Sequence, residues 1–423
     1  MGFKKNLKLL ARLAWRNVWK NKRRTVLTLL TITAGSSMVI FMRAFQDGGY
    51  EQMIEDALAP CAGHIQIHEK GFWENMSIDY AFRPAEPLLS RLKADKKITG
   101  TSERIHAAGL LSYRDTTSGA LIQAVDPASE IRVTTLHKNI LKGGRYLAPE
   151  DRNHIIMGHT LAKNLGVKTG GSVSLISQGF DGSIAAENLT VVGLFRTGNP
   201  EYDRYLAVMP LEPAKETFTM MGYVSSIAIR LEKTSDMEET RDGIKNFLGI
   251  KPESAEKSEL EVMGWDELLP EVMQHITMDI ASSWLIYVIL FLIVAFGILN
   301  TIQMSVFERT REFGIMKAIG TRPGQILGMI VLESIYISLI GAAVGIAVGS
   351  ALGVYFQINP LDFSEYSGEM ELFSIASTIL PTRITLKNIL STSAIVIVLS
   401  VLFTIPPARR AARLKPLDAI RQL

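Results

Sequence analysis

The stretch from Ile280 to Val306, IASSWLIYVILFLIVAFGILNTIQMSV, contains no charged residue. As a helix it would be about 40 Å long, which is enough to cross the hydrocarbon core of a bilayer. Trp284 and Tyr287 lie near one end, and their amphipathic rings favour the membrane interface. This stretch therefore predicts a transmembrane helix.

Three further stretches have the same apolar character: Thr25–Met42, Ile326–Phe356 and Ile389–Ile405. The 423-residue chain is 47% hydrophobic and 21% charged, too apolar for an ordinary soluble protein and too polar for one buried in lipid throughout. We therefore predict a polytopic α-helical membrane protein, with four transmembrane helices and a large mixed α/β extracytoplasmic domain between helices 1 and 2. The net charge of +3 gives no general attraction to nucleic acid, so none is expected as a partner.

Charges between the stretches predict the orientation. Residues 1–24 carry nine lysines and arginines and no acid, whereas residues 357–388 carry four acids before the first arginine. By the positive-inside rule both termini are cytoplasmic. The predicted segments are a cytoplasmic amphipathic helix (1–24), transmembrane helices (25–45, 280–306, 326–356, 389–407), a periplasmic domain (46–279), a cytoplasmic connection (307–325), a periplasmic loop (357–388) and a cytoplasmic tail (408–423).

The amino-terminal segment repeats a basic residue every four positions, at Lys4, Lys8, Arg12, Arg16 and Lys20. A helix would separate these side chains from an apolar face. Such a helix either lies along the inner membrane surface or fixes topology by its charge alone. A cleaved signal peptide is an alternative explanation of the first apolar stretch, but the stretch is longer than a signal core and no small-residue cleavage site follows.

Residues 46–279 are long enough for an extracytoplasmic domain. Strand-like runs alternate there with helical stretches; the runs are His64–His68, Ala120–Val125, Ser172–Ile176, Leu189–Phe195 and Ser226–Leu231. Phe180, Asp181 and Gly182 lie between two of the predicted strands. They indicate an exposed hairpin tip, which is either a plain turn or a loop that docks a periplasmic partner.

The sequence offers little for catalysis or metal binding. Cys61 is the single cysteine, which excludes an internal disulfide and a cysteine-rich zinc site. His64 and His68 share a strand face, but no nearby acid or cysteine in the sequence completes a ligand set. In Gly166–Ser172 the glycines have the spacing of a phosphate loop, yet Ser172 stands where the lysine is required. We therefore predict no catalytic residue, no metal and no cofactor in this chain.

The third apolar stretch carries glycine at intervals of four, at Gly341, Gly345, Gly349 and Gly353. A row of glycines on one helix face lets a second helix approach closely, so we predict tight helix packing there. Glu333 lies in the same stretch, and a carboxylate at bilayer depth is costly unless it faces the bundle interior. A hydrogen bond to a neighbouring helix and a proton relay are its alternative roles.

The cytoplasmic connection contains ERTREFGIMKAIG from Glu308 to Gly320, in which charges alternate in sign. Its apolar residues form a ridge: Phe313, Ile315, Met316 and Ile319. A short amphipathic helix here could dock on another protein, and a solvated loop is the alternative.

This string resembles the coupling helix of the FtsX-like ABC permeases, the superfamily of the macrolide-exporter and lipoprotein-release permeases. It matches the superfamily pattern at Glu308, Arg309, Thr310, Arg311, Glu312, Gly314, Lys317, Ala318 and Gly320, with Phe313 for the usual isoleucine. Similar patterns occur at residues 14–25, Leu141–Arg145, Leu165–Gly171, Glu333 with the glycine row, and Pro407–Arg421. The resemblance covers essentially the whole chain.

The resemblance implies a non-catalytic permease subunit of the bacterial inner membrane, driven by two copies of an ABC ATPase that bind ATP and Mg²⁺. A second permease subunit, identical or paralogous, completes the assembly. The residues implied in ATPase coupling are Glu308, Arg309, Arg311, Glu312, Phe313, Gly314, Met316, Lys317 and Gly320. The apolar ridge is expected to enter a groove on the ATPase, with Gly314 allowing close backbone approach.

Chain length and the stretch Gly193–Asp203 resemble the lipoprotein-release permeases most. This implies a cargo of lipoproteins or other lipophilic molecules taken from membrane lipid, with a periplasmic carrier or adaptor protein as a candidate partner. Two alternatives stay open. One is efflux of a periplasmic substrate through an outer-membrane partner, and the other is transmembrane regulation of an extracellular hydrolase.

Overall fold

The computed structural model describes residues 2–60, 62–250, 258–362 and 379–414. These residues form two compact units. We call residues 2–50, 276–362 and 379–414 the membrane unit, and residues 51–60, 62–250 and 258–275 the sheet domain. Cys61 lies outside the described residues.

The helices of the described chain are α1 Gly2–Val18, α2 Lys22–Leu58, α3 Phe72–Asn75, α4 Glu86–Ala94, α5 Pro127–Glu130, α6 His159–Leu165, α7 Pro200–Tyr205, α8 Leu211–Thr217, α9 Met237–Phe247, α10 Trp265–Leu268, α11 Pro270–Glu308, α12 Thr310–Ala318, α13 Pro323–Ile358 and α14 Leu386–Arg413. Two short 3-10 helices are Leu136–Asn139 and Thr234–Asp236.

The strands are β1 Ile65–Glu69, β2 Ile98–Tyr113, β3 Thr116–Val125, β4 His154–Gly158, β5 Ser172–Gln178, β6 Ile184–Phe195, β7 Leu206–Pro210, β8 Ser226–Leu231, β9 Leu260–Gly264, β10 Leu361–Asp362 and β11 Ile379–Leu380. The five predicted strand runs correspond to β1, β3, β5, β6 and β8. The last two strands form a small antiparallel pair in the membrane unit.

Four helices in the described part of the chain, α2, α11, α13 and α14, are long and apolar enough to cross a membrane. Together with the large α/β domain that lies between the first two of them in sequence, they confirm the predicted fold class. Each is longer than its apolar stretch: α2, for example, continues to Leu58. Residues 363–378, half of the predicted periplasmic loop, and residues 415–423 of the tail lie outside the described residues.

The sheet domain is built on nine strands in the order β3-β7-β4-β6-β5-β2-β8-β1-β9. Because β3 also pairs with β2, six of these strands close into a ring, and β8, β1 and β9 extend the sheet from β2. Alternate residues of the ring strands, such as Ile105, Ile122 and Val173, point into one apolar core. A second core, which includes Ile67 and Ile229, packs with α4 and α9.

Candidate functional site

Helix α12 carries most of the predicted coupling residues and has two different faces. Phe313 and Gly314 are buried inside the chain, and Phe313 has no exposed surface. Ile315 is 47% exposed and Ile319, just after the helix, is 78% exposed. Phe313 packs in an apolar cluster with residues of α11, α13 and α14. The exposed face of α12 is formed by Arg311, Ile315, Ala318 and Ile319.

This arrangement corrects part of the sequence interpretation. The family resemblance implies direct contact of Phe313 and Gly314 with an ATPase, but both face the interior of the membrane unit. Met316 is partly buried as well. The reason is helical spacing: Phe313 and Met316 are three residues apart and share the inner face, whereas Ile315 and Ile319 are four apart and share the outer face.

A buried ion pair joins the start of α12 to α13. Arg309, the residue before α12, places Nη1 3.0 Å from Oε2 of Glu333, whose side chain is 3% exposed. Nε of Arg309 donates to Glu312 Oε2 at 3.2 Å. Glu333 therefore has the hydrogen-bonded partner that a carboxylate inside a membrane helix requires. Removing one member of such a pair leaves a buried charge uncompensated.

Arg24 at the start of α2 joins the same network. Its Nη1 lies 2.9 Å from Glu308 Oε2, and its Nη2 donates to Ser305 Oγ at 2.7 Å. Nη2 also lies 3.9 Å from Glu333 Oε1. The end of α11, the start of α2 and the first third of α13 are thus held by one set of charges around Arg24, Arg309 and Glu333.

Glu312 extends this network to the amino-terminal segment. Its carboxylate forms a short ion pair with Lys20, the second residue after α1. Burial alone would raise the pKa of Glu312, but hydrogen bonds from Lys20 and Arg309 outweigh that effect and lower its pKa below the usual range. Glu312 is therefore ionised at neutral pH.

The far end of α12 contacts the last membrane helix. Nζ of Lys317 donates to the carbonyl oxygens of Ala412, 3.1 Å away, and Leu414, 2.5 Å away. These carbonyls belong to the carboxyl end of α14, where a cation is favourable. Gly320 follows with φ of 97°, a left-handed conformation suited to glycine that ends this segment before α13 begins at Pro323.

The glycine row of α13 lies against α2 over three of its four positions. A methyl group added at Gly341 would lie 2.7 Å from Ile32 Cγ2, and one at Gly349 would lie 2.9 Å from the carbonyl oxygen of Ser37. Gly345 faces Ser36 just as closely. Gly353 approaches Ile384, before α14. The row thus has the close contacts that the spacing predicts.

The hairpin tip of the sheet domain connects β5 to β6. Asp181 and Gly182 are exposed, and Gly182 has φ of 81°. Phe180 instead turns inward, with its ring centroid 5.1 Å from that of Tyr223. If this tip docks a partner, Asp181 and Gly182 are therefore the residues available for contact. Phe180 packs against the sheet domain and anchors the turn.

The two histidines of the β1 region are buried and have acidic neighbours that sequence spacing did not indicate. His64 Nε2 lies 3.1 Å from Glu55 Oε1, and its Nδ1 accepts a hydrogen bond from the Leu231 backbone. His68 Nδ1 lies 3.1 Å from Glu261 Oε1. Among the described residues no group of three or more metal-ligating side chains is found, and these contacts hold strands and helix ends together.

Sequence reasoning missed the ion-pair partners of Glu333. An acid in a membrane helix signals that a cation must lie nearby. Several basic residues satisfy that requirement by sequence, and spacing alone does not select Arg309 and Arg24 from among them.

Comparison with known proteins agrees with this architecture. Residues 25–247 match the MacB-like periplasmic core domain, and residues 284–416 match the FtsX-like permease C-terminal family. YknZ of Bacillus subtilis strain 168, described as an uncharacterized ABC transporter permease, is 25% identical over 431 residues, which cover 97% of this chain and 98% of YknZ.

Two other relatives carry functional names. The lipoprotein-releasing system transmembrane protein LolC of Neisseria meningitidis serogroup B is 21% identical, and the similarity covers 94% of each chain. The macrolide export ATP-binding/permease protein MacB 2 of Aeromonas hydrophila is 24% identical over 97% of this chain but only 60% of its own length. This chain is therefore similar to a part of that longer protein and to nearly the whole of LolC.

Proposed function

The chain belongs to the ABC transporter permeases that join a MacB-like periplasmic core domain to an FtsX-like carboxyl-terminal region, and from this premise we propose that it passes the ATP-driven motion of a separate ATPase to its own membrane helices and extracytoplasmic domain. Two ATPase copies, which bind ATP and Mg²⁺, and a second permease subunit complete the proposed assembly in the bacterial inner membrane.

The observation that supports this proposal is the dual attachment of α12. Its amino-terminal end is held to α13 by Arg309 and Glu333, and its carboxyl-terminal end to α14 by Lys317. Ile315 of α12 and Ile319, just after the helix, remain exposed. A short helix that is held at both ends and presents an apolar outer face is suited to receive a displacement and pass it to several membrane helices.

The test compares two exposed isoleucines. Ile319→Asp places a charge on the proposed ATPase contact, and exposed Ile184→Asp makes the same change in the sheet domain, at 82% exposure against 78%. Truncating a central interface residue commonly costs more than about 1 kcal/mol, which is roughly fivefold in affinity. We expect Ile319→Asp to weaken ATPase association and hydrolysis in nanodiscs at least fivefold, and Ile184→Asp to leave both unchanged.

If the Ile319→Asp variant bound the ATPase as tightly as the wild type, the exposed face of α12 would not be the ATPase contact. A loss in both variants would show a general defect instead. Circular dichroism and gel filtration of each purified variant separate loss of fold from loss of contact.

We propose lipoproteins or other lipophilic molecules of the inner membrane as the cargo. The similarity to LolC, which extends over nearly all of both chains, supports this choice. Similarity to MacB 2 supports efflux of a periplasmic substrate as a second candidate. The discriminating measurement is ATPase stimulation in the reconstituted complex. Stimulation by a diacylated lipopeptide and not by its deacylated form supports the first, and stimulation by a macrolide alone supports the second.

A further inference from the structure

A groove of about 780 Å³ opens in the membrane unit between α1, α12 and α13. Leu13, Trp19 and Met329 contribute apolar walls, and Arg16 and Lys20 contribute positive charge. Its volume is in the range of small-molecule sites. Of the two isoleucines in the proposed ATPase contact, Ile315 lies at the edge of the groove and Ile319 does not line it. The basic and tryptophan-bearing side of the groove, formed by α1 and the residues after it, has no part in that contact and needs an explanation of its own.

The charges of this groove are not balanced. Three cations and one carboxylate line it: Arg16, Lys20, Arg309 and Glu312. Lys20 and Arg309 both pair with Glu312, and Arg309 also pairs with Glu333. Arg16 is exposed and makes no ion pair or hydrogen bond with any residue that the structure describes. The groove therefore offers a free guanidinium beside an apolar wall.

The surroundings indicate which kind of anion reaches it. Helix α1 packs on α13 through Ala14 and Val18, and the Trp15 ring lies edge-on to Tyr336 of α13 with centroids 5.5 Å apart. Trp15 and Trp19 remain 47% and 44% exposed. Exposed tryptophans beside basic residues are typical of a helix at the headgroup level of a membrane. With nine basic residues and no acid in residues 1–24, this face attracts anionic lipids.

From this geometry we infer that the groove binds an anionic phospholipid of the cytoplasmic leaflet, with its phosphate on Arg16 and the first part of its chains on Leu13, Trp19 and Met329. An inorganic anion would leave the apolar wall in water. A zwitterionic lipid carries a cationic group beside its phosphate, which offsets the attraction of the phosphate to this basic surface. Because Glu312 and Ile315 of α12 also line the groove, the bound lipid would steady the coupling segment.

The test uses the purified full-length chain in neutral detergent, without ATPase or cargo. Its thermal unfolding midpoint is measured with added dioleoyl phosphatidylglycerol, dioleoyl phosphatidylcholine or inorganic phosphate, and lipid retention is counted by native mass spectrometry. Arg16→Gln removes the proposed contact. Arg12→Gln removes the same charge one turn earlier on α1, at an exposed position that does not line the groove.

We expect phosphatidylglycerol to raise the midpoint of the wild type and of Arg12→Gln, because a ligand that binds the folded state stabilises it. Arg16→Gln should bind phosphatidylglycerol about tenfold more weakly, as expected for loss of a charged hydrogen bond. Equal effects of the two substitutions would reduce the site to general surface charge and overturn the inference. An equal shift with phosphatidylcholine or with inorganic phosphate would also overturn it. Failure here would leave the proposed ATPase coupling standing, because neither readout involves the ATPase.

Discussion

The membrane unit and the sheet domain fill their interiors by different means. In the membrane unit, α13 approaches α2 at glycines, and hydroxyl groups of Ser334, Ser400 and Thr404 hydrogen-bond between α13 and α14. In the sheet domain, alternate residues of the ring strands form an apolar core. Lipid removes the hydrophobic drive for helix association, so contact there depends on small residues and polar groups, whereas in water the burial of apolar side chains contributes most to stability.

Each unit also buries an ion pair, and here the two are alike. Arg309 and Glu333 pair in the membrane unit, while Arg104 and Glu130 pair in the sheet domain with side chains 1% and 2% exposed. A buried pair is tolerated in either solvent only if both members are present. The two units therefore differ in how their uncharged residues pack and not in their buried ion pairs. Substitutions measure the ion pairs and the packing of uncharged residues separately.

The largest effect is expected at the buried pair of the sheet domain. Arg104 Nη2 lies 2.6 Å from Glu130 Oε1, so Arg104→Met leaves a buried carboxylate without its cation. We expect a loss of about 3 to 5 kcal/mol in the free energy of unfolding of this domain, measured by native-state hydrogen exchange of β2 and β3 amides. The control is Arg152→Met, whose exposed pair with Glu216 at 3.4 Å should contribute no more than about 1 kcal/mol. Equal losses would show that burial of the pair does not matter.

The glycine row gives the next effect and tests the membrane side of the comparison. Gly349→Leu would push a side chain against the Ser37 backbone, whereas Gly328→Leu on the same helix meets open space, with no atom within 4 Å of the added carbon. We expect Gly349→Leu to cost about 1 to 3 kcal/mol through overpacking, and Gly328→Leu to cost little. The measurement is thermal unfolding of each variant in nanodiscs. Equal unfolding midpoints for the two variants would show that the glycine row makes no tight helix contact.

Local sequence patterns were sufficient for the fold class, because span length and strand alternation are properties of neighbouring residues. Close helix packing at the glycine row could also be predicted, since the spacing of four between the glycines is visible without knowledge of the partner helix. The burial of Phe313 could not be predicted from the sequence, because α12 is short and its apolar residues lie on two faces. The ring closure through β3 and β7 also depends on pairing between distant strands, which no local pattern encodes.

Acid should weaken the sheet domain through a buried histidine. Burial, with a contribution from Arg104 and then His68, lowers the pKa of His106 to about 3, while the unfolded chain has a pKa near 6.5. The unfolded state therefore takes up a proton first, and stability falls as pH drops below about 6.5, by about 1.4 kcal/mol per unit. Hydrogen exchange at pH 7 and 5.5 measures this loss. His106→Gln should reduce the pH dependence, and an unchanged slope in that variant would assign it to other groups.

The smallest effect is expected at a hydroxyl group inside the membrane unit. Thr404 Oγ1 lies 2.7 Å from Ser334 Oγ of α13 and 2.6 Å from the carbonyl oxygen of Ser400 in its own helix α14. Thr404→Val keeps the shape of the side chain and removes both contacts. Hydrogen bonds between membrane helices average about 0.6 kcal/mol, because the separated helices also find partners. Thr301→Val is the control, since its hydroxyl donates only to Gly297 of its own helix. We therefore expect a small fall in the unfolding midpoint in nanodiscs for Thr404→Val, and none for Thr301→Val. A fall at Thr404 as large as that of Gly349→Leu would mean that polar contacts, rather than close backbone packing, dominate helix association in this unit.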